Sequence, residues 1–180
     1  MEYPSAWERA AHTLDGAEFR IRPIKPTDEQ LEREFIVGLS PESRYRRMMC
    51  AMREPSAELV HRFVTVDYCR DMAFVALVDT PSAAGAEPTP HFIGVARYAT
   101  QAGSPGGEFA VAVTDAWQSR GVGTALMQVL LDYAREQGIH DLHGEILPTN
   151  TPMLELARYL GMQTRLSDSS ATLITASRDL

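Results

Sequence analysis

Gln118-Ser119-Arg120-Gly121-Val122-Gly123-Thr124-Ala125 joins the apolar run Phe109 to Val113 to a periodic segment that ends at Gln137. This order predicts a strand, a glycine loop and a helix. Gly121 and Gly123 carry no Cβ, so their backbone N–H groups can approach a phosphate closely, at the positive end of the following helix. Arg120 adds a permanent positive charge that can bind two oxygens at once. The segment therefore predicts an anion-binding site.

Two other phosphate-binding designs do not fit these glycines. A P-loop needs a Lys followed by Ser or Thr after its second glycine, whereas Gly123 is followed by Thr124-Ala125. The dinucleotide fingerprint needs a third small residue, and an acidic residue about 20 positions further on. Leu126 replaces the small residue, and Asp141, near the acidic distance, opens the next predicted strand instead of ending one. The pattern that remains is Gln-x-Arg-Gly-x-Gly-Thr after an apolar strand.

The composition predicts a single enzyme-sized domain. The 180 residues are 44% hydrophobic, which is enough for one full core. A net charge of −7 disfavours nonspecific binding of nucleic acid. No apolar run is long enough for a membrane span, and the N-terminus lacks the pattern of a signal peptide. Cys50 and Cys69 have no metal-type spacing, so we expect reduced thiols in a cytoplasmic protein.

Periodicity and turn residues predict the remaining elements. A short leading helix is expected over Ser5 to Leu14, Pro23 predicts an edge position for the first strand, and a mobile hairpin loop is expected over Thr80 to Pro90. The predicted strands cover residues 19–24, 72–78, 92–99, 108–114, 141–147 and 171–176. The predicted helices follow Thr27-Asp28, Ser40-Pro41 and Pro55-Ser56, and two more cover residues 122–137 and 150–160.

The glycine segment, in this order of elements, resembles the pyrophosphate-binding segment of the GNAT superfamily of acyl-CoA-dependent N-acyltransferases. The resemblance implies an α/β (α+β) fold with a mixed, mostly antiparallel sheet of six to seven strands and helices on both faces. It covers residues 19–180 as one acetyltransferase domain, after an N-terminal extension of residues 1–18. Within the superfamily, the chain looks most like the acyltransferase domain of bacterial protein lysine acetyltransferases. The stretches behind this narrower match are Leu39 to Tyr45, Val66-Asp67-Tyr68, Asp71-Met72-Ala73, Gly107 to Val113 and Asn150 to Leu154.

The resemblance also implies the ligands. Acetyl-CoA is the expected cosubstrate, with no metal, and the expected acceptor is an amine, a protein lysine first. Backbone N–H groups around Val111 would hold the thioester carbonyl, and Val111 and Val113 would pair with the pantetheine arm as an added strand does. Asn150 has two interpretations of equal weight, a bond to the cofactor and a helix cap. The predicted cofactor-binding residues are Val111, Val113, Gln118, Arg120, Gly121, Val122, Gly123, Thr124 and Asn150.

Glu108 is the predicted catalytic residue. A lysine amine has a pKa near 10.4 and is protonated at neutral pH, yet only the neutral amine attacks a thioester, so a general base is needed. Glu108 begins an otherwise apolar strand just before the phosphate loop, and the matching glutamate is the base in the resembling family, directly or through water. The alternative is a carboxylate at a strand end that faces solvent.

One position departs from the family pattern. Many members carry a Tyr seven positions after the Asn to protonate the leaving thiolate, and this position is Ala157 here. Tyr159, two residues further on, is expected to point elsewhere on the helix, so water is the expected proton donor. Arg44, Arg46, Arg47 and Arg53 form a basic cluster, for which a solvated helix face is the first interpretation and contact with ligand phosphates the second.

Other candidates are weaker. His140 and His143 would lie on opposite faces of a strand, which disfavours a metal pair, and Glu145 with His143 and Asp141 suggests a structural network. Two further functions stay open, a small-molecule amine acetyltransferase and a non-catalytic acyl-CoA-binding sensor. The oligomeric state is open as well, a homodimer included.

Overall fold

The computed structural model describes residues 2–80 and 88–180, which form a sheet flanked by helices. The strands are β1 (Arg9–His12), β2 (Glu18–Pro23), β3 (Asp71–Thr80), β4 (Thr89–Thr100), β5 (Gly107–Val113), β6 (Asp141–Ile146), β7 (Gln163–Leu166) and β8 (Ile174–Asp179). The α-helices are α1 (Glu29–Gly38), α2 (Pro41–Met48), α3 (Ala57–Val64), α4 (Val122–Glu136) and α5 (Thr151–Tyr159). In the described part of the chain, no helix is both long and apolar enough to cross a bilayer.

The sheet has the order β1-β2-β3-β4-β5-β6-β8-β7. The pair β5–β6 is parallel and the other described pairs are antiparallel, which confirms the predicted mixed, mostly antiparallel sheet. Within residues 2–80 and 88–180 the sheet has eight strands, where six to seven were predicted. The unpredicted strands are β1 and β7, each four residues long and mostly exposed, so neither shows the alternation of polar and apolar residues that marks a strand.

Three local expectations change. The leading helix over Ser5 to Leu14 is wrong, because Ser5–Trp7 form one 3₁₀ turn and β1 follows. The edge position of β2 is also wrong, since β2 lies between β1 and β3. Pro23 is tolerated there because β1 pairs only with residues 18–21 of β2 and ends before Pro23. Most of the predicted Thr80 to Pro90 loop lies outside the described residues.

Two core layers cover the two faces of the sheet. Alternate residues of β3 from Met72 to Leu77 point to opposite layers. One layer includes Leu126 and Tyr133 of α4, and the other includes Phe35 and Ile36 of α1. Helices therefore pack on both faces, as predicted.

The start of β5 is held between two strands, but its end is not. β4 pairs with β5 along the whole length from Gly107 to Val113. On the other side, β6 pairs with β5 only at Gly107 and Glu108. The two strands separate beyond Glu108, which leaves a cleft along one edge of β5.

Candidate active site

The larger of the two cavities along β5 occupies the cleft beside its free edge. Its volume is about 400 Å³. Residues 111–113 of β5 form one wall, the glycine loop closes one end, and α5 and α2 form the opposite side. We call it the cofactor cavity. Of the predicted cofactor-binding residues, it is lined by Val111, Val113, Gln118, Gly121, Gly123, Thr124 and Asn150.

The free edge of β5 presents backbone groups to this cavity. The N–H of Thr114 donates to the Ile93 carbonyl oxygen at 2.9 Å, so it points towards β4. Backbone groups alternate in direction along a strand, which turns the N–H groups of Val111 and Val113 towards the cleft. The Val113 carbonyl oxygen confirms this direction, because it accepts a bond from Gln118 on the cleft side. The N–H groups that the prediction assigns to the thioester and the pantetheine arm are therefore free of strand pairing on the cleft side.

The glycine loop leads directly into α4. Gly121 is the residue before the helix and has φ of 91°, in the left-handed region that glycine adopts without strain. Gly123 and Thr124 lie in the first turn of α4 and line the cavity. The unpaired N–H groups of a helix N-terminus therefore face the cofactor cavity, which is the arrangement that binds phosphate.

The Gln118 side chain connects the glycine loop to neighbouring elements by hydrogen bonds. Its side-chain Nε2 donates to the Val113 carbonyl oxygen at 3.0 Å and to Ser43 Oγ at 3.1 Å. These bonds tie the glycine loop to β5 and to α2. Its place in the cavity wall matches the prediction, while its amide group is already bonded to protein atoms.

Arg120 and Val122 lie differently from the expectation. The Arg120 guanidinium donates to Asp15 at 2.8 Å and 3.3 Å and stacks over the Trp117 ring at 4.4 Å, outside the cavity wall. Hydrogen bonds from Arg120 and Thr13 hold the pKa of Asp15 at about 2. The Val122 side chain is buried in the core, so only its backbone N–H is placed for a cofactor.

Helix α5 forms the wall opposite β5. Asn150 caps it, since its side-chain oxygen accepts from the Met153 N–H at 3.4 Å, and Asn150 lines the cavity as well. Ala157 is fully buried in the core. Tyr159 lines the cofactor cavity with a side chain that is 72% exposed. Tyr159 thus points in a different direction from Ala157, as expected from the helix spacing, and as the last residue of α5 its side chain reaches the cavity rim.

Helix α2 supplies residues whose role was left open. Ser43, Arg46 and Arg47 line the cofactor cavity, which favours the ligand-contact interpretation for these two arginines. Arg44 instead donates to the carbonyl oxygens of Val37 and Leu39, among others, and has a structural role. The sequence indicates these positions only through the Ser40-Pro41 helix start, which determines where α2 begins and the direction in which it runs.

Asp115 joins α2 to the segment before the glycine loop. Its carboxylate accepts from the Ser40 N–H at 3.0 Å and from the hydroxyls of Ser40 and Ser43 at 2.8 Å each. Burial would raise the pKa of Asp115, but these hydrogen bonds outweigh it and hold the pKa below its usual value. Two walls of the cavity are thus fixed to each other.

A second cavity of about 260 Å³ lies at the other half of β5, and we call it the acceptor cavity. Its floor follows from strand register. Asp71 of β3 pairs with Ala99 of β4, and Ala99 pairs with Glu108 of β5, so the three form one row across the sheet. Arg97 lies in the next row on the same face, opposite Ala110. The alanines leave space above the floor.

Glu108 lines the acceptor cavity, close to the point on β5 where the cofactor cavity begins. It precedes the cleft by three residues along β5, its side chain is exposed, and within residues 2–80 and 88–180 its carboxylate accepts no hydrogen bond. Arg47 lines both cavities. Burial lowers the pKa of Arg47, while the negative charges of Glu32 and Glu108 oppose that shift. A carboxylate without a protein partner, beside a cofactor cleft, can accept a proton from an acceptor amine.

The histidines stand where a structural role explains them. His143 Nδ1 lies 3.4 Å from Asp141, and Glu145 accepts from the Thr175 hydroxyl at 2.9 Å. His140 lies just outside β6. In the described ranges, no group of three or more metal-ligating side chains is placed to hold an ion.

Comparisons with known proteins agree with this geometry. A family model described as acetyltransferase (GNAT) family matches residues 43–162. The chain belongs to the GNAT acetyltransferase family. As a GNAT enzyme it is an acyl-CoA-dependent N-acyltransferase, and acetyl-CoA is its cosubstrate.

Three relatives show how far the GNAT similarity extends. Acetyltransferase PA5475 of Pseudomonas aeruginosa is 33% identical over 147 residues, which cover 82% of this chain and 76% of the relative. The crystal structure of the GNAT domain of S. lividans PAT has a TM-score of 0.86 at 30% identity, covering 99% of this chain and 100% of that domain. Acetyltransferase Pat of Mycolicibacterium smegmatis is 30% identical over 148 residues, 81% of this chain but only 41% of the relative.

Proposed function

We propose that this enzyme transfers the acetyl group of acetyl-CoA directly to the side-chain amine of a protein lysine. The observation that carries the proposal is the position of Glu108, which lines the acceptor cavity on β5 just before the residues that line the cofactor cavity. An acetyl group held at the free edge of β5 and an amine held above the Asp71–Glu108 row would be neighbours. Such an arrangement favours direct transfer in a ternary complex.

The reaction then follows from the groups present. The lysine ammonium gives a proton to Glu108, directly or through water, and the neutral amine attacks the thioester carbonyl. The Val111 N–H stabilises the oxygen as it becomes negative. A bond forms between nitrogen and the acetyl carbon, and the carbon–sulfur bond breaks. The second proton that the nitrogen loses passes through water to the departing thiolate, whose pKa near 8.5 makes it a good leaving group, and Glu108 returns its own proton to solvent.

Two features support a lysine as the acceptor. Asp71 and Glu108 are two carboxylates in one row, which attracts an ammonium group. The chain is also similar over 99% of its length to the GNAT domain of S. lividans PAT. The setting we propose is cytoplasmic, in agreement with two free cysteines, Cys50 and Cys69.

A panel of acceptors tests the proposal. Release of the CoA thiol would be measured with lysine-containing peptides and with small amines, and the acetylated atom located by mass spectrometry. We expect turnover on peptide lysines and little on small amines. Turnover on small amines alone would point to a small-molecule acetyltransferase, and tight acetyl-CoA binding without turnover on any acceptor would point to a sensor.

A further inference from the structure

Three arginines line the acceptor cavity. Arg47 comes from α2, Arg62 from the exposed face of α3, and Arg97 from β4. We call them the cationic cluster. Across the described part of the chain, other arginines such as Arg20 and Arg135 form salt bridges, but none of these three does. The cluster therefore has positive charge available for a ligand.

The cluster is held in place by Phe63. The guanidinium of Arg97 stacks over the Phe63 ring at 4.2 Å and donates to its carbonyl oxygen at 2.5 Å, and Arg47 lies 5.5 Å from the same ring. The Nε of Arg97 is buried and has no hydrogen-bond partner. Two like charges are thus packed together in fixed positions. Burial, and next the charge of Arg47, lower the pKa of Arg97 to about 10.

Carboxylates act on two of these arginines: Glu32 on both Arg47 and Arg97, Glu108 on Arg47 and Asp71 on Arg97. Glu32 of α1 is 3% exposed, and its Oε2 has no hydrogen-bond partner. Arg97 and Arg47 act on its charge, but burial outweighs them and raises the pKa of Glu32. Glu32 therefore holds its proton more tightly than usual and compensates the arginines weakly, while Asp71 and Glu108 line the acceptor cavity beside them. An incoming anion would relieve the repulsion within the cluster.

The spacing suits an acceptor that carries both charges. Asp71 and Glu108 are two strands apart, about 10 Å between Cα atoms, and Arg97 lies two residues along β4 from the row, about 7 Å away. If the lysine ammonium lies over the row of Asp71 and Glu108, and a carboxylate of the same acceptor lies at the cationic cluster, the two groups are about as far apart as the side chains of adjacent residues in a peptide.

We propose that the enzyme prefers a lysine that has an acidic residue beside it, with the acidic side chain bound by Arg47, Arg62 and Arg97. The proposal rests on the proposed function, because it deepens the choice of acceptor at that site. Arg62 is the residue that sets the preference, since it is exposed at the cavity rim and the other two are fixed by Phe63.

Two end-blocked peptides test this, each with one lysine, and with Glu or Gln directly beside it. For the wild-type enzyme we expect kcat/KM to be about fivefold higher for the Glu peptide, the size of one exposed ion pair. Arg62→Gln should bring the ratio towards one, and Arg62→Glu should invert it in favour of the Gln peptide. Arg158→Gln, which removes a charge from the exposed face of α5 outside both cavities, is the matched control and should keep the wild-type ratio.

The outcomes separate the two proposals. Equal rates on both peptides with the wild-type enzyme would overturn the acidic preference while leaving lysine as the acceptor. Acetylation of neither peptide, with acetyl-CoA still bound, would overturn the lysine acceptor and the preference together. A preference that survives Arg62→Glu would also overturn the role given to the cluster.

Discussion

The two cavities both lie along β5, yet they differ in the groups that line them. The cofactor cavity presents backbone groups at the free edge of residues 111–113 and in the first turn of α4, among side chains of α2 and α5. The acceptor cavity brings five charged side chains from α2, α3, β3, β4 and β5 together with apolar residues. The backbone groups of β5 and α4 can bind any ligand that has the shape of coenzyme A. The charged side chains of the acceptor cavity select one kind of acceptor. The cofactor cavity can thus stay constant while the acceptor cavity determines the specificity for the acceptor.

The largest expected effect is on kcat, and it distinguishes catalysis at the acceptor cavity from binding at the cofactor cavity. Glu108→Gln removes the base, so kcat should fall by about 10²- to 10⁴-fold, while the KM for acetyl-CoA stays near the wild-type value. Steady-state kinetics with a lysine peptide measures both. Glu58→Gln, an exposed carboxylate on α3, serves as control and should leave kcat unchanged. A normal kcat in Glu108→Gln would remove Glu108 from the mechanism.

The next effect tests the cofactor cavity alone. Gly123→Val places a branched side chain in front of the helix N-terminus, so the KM for acetyl-CoA should rise about tenfold or more. Gly123→Ala is the control for folding, because its Cβ would meet Val113 and Leu156 at ordinary distances of 3.5 and 3.6 Å. Calorimetric binding of acetyl-CoA gives the same comparison without turnover. Equal affinity in the valine variant would contradict the phosphate site.

Gly121 should behave differently from Gly123, because its backbone conformation is what requires glycine. Its φ of 91° is unfavourable for a side chain, and a Cβ would lie 3.3 Å from the Leu14 side chain. Gly121→Ala should therefore lower the free energy of unfolding by about 1–2 kcal/mol. Urea denaturation measures the loss. Gly38→Ala, with open space around its Cβ, is the control and should not be destabilised.

A smaller effect concerns the acid beneath the cationic cluster. Because burial raises the pKa of Glu32 in the folded state, its protonated form stabilises the fold. This stabilisation is complete below the pKa of the unfolded chain and is lost as pH rises through the folded pKa. Glu32→Gln imitates the protonated acid, so its Tm should exceed the wild-type Tm by roughly 2–4 °C at pH 7 and match it near pH 4. A lower Tm at pH 7 would show that the arginines need its charge.

The smallest expected effect belongs to Arg120. Since its guanidinium binds Asp15 and lies outside the cavity wall, Arg120→Gln should change the KM for acetyl-CoA by no more than about twofold. Asp15→Asn, measured beside it, removes the same ion pair from the other side. A tenfold rise in the KM for acetyl-CoA in Arg120→Gln, but not in Asp15→Asn, would show that Arg120 binds the pyrophosphate as the sequence predicts.

The sequence predicted the cofactor cavity well because its determinants are contiguous. A strand, two glycines and a helix follow one another within residues 109–137, so the local order already defines the site. The partner of Arg120 could not be predicted, because Asp15 lies 105 residues away along the chain. Helix spacing also could not predict that Tyr159, the last residue of α5, reaches the cavity rim.

The acceptor cavity was largely invisible in the sequence. Glu108 could be proposed from the chemistry, but its companions depend on strand register, which pairs Asp71 with Ala99 and Ala99 with Glu108. A shift of one residue in either pair would turn these side chains to the other face. Arg62 and Arg97 lie in segments that read as an ordinary helix and an ordinary strand. Only the small residues Ala99 and Ala110 hinted at open space.

The turn after β1 has a practical consequence for anyone who trims this protein. The Leu14 N–H donates to the Arg120 carbonyl oxygen at 2.9 Å, and the Leu14 side chain lies over Gly121 although it is 84% exposed. A shortened version starting at Phe19 would keep every residue of the catalytic strand and still release the loop that receives the coenzyme. The first residue of a shortened protein, or the joint of a fusion, is therefore better placed ahead of Tyr3 than at the start of β2.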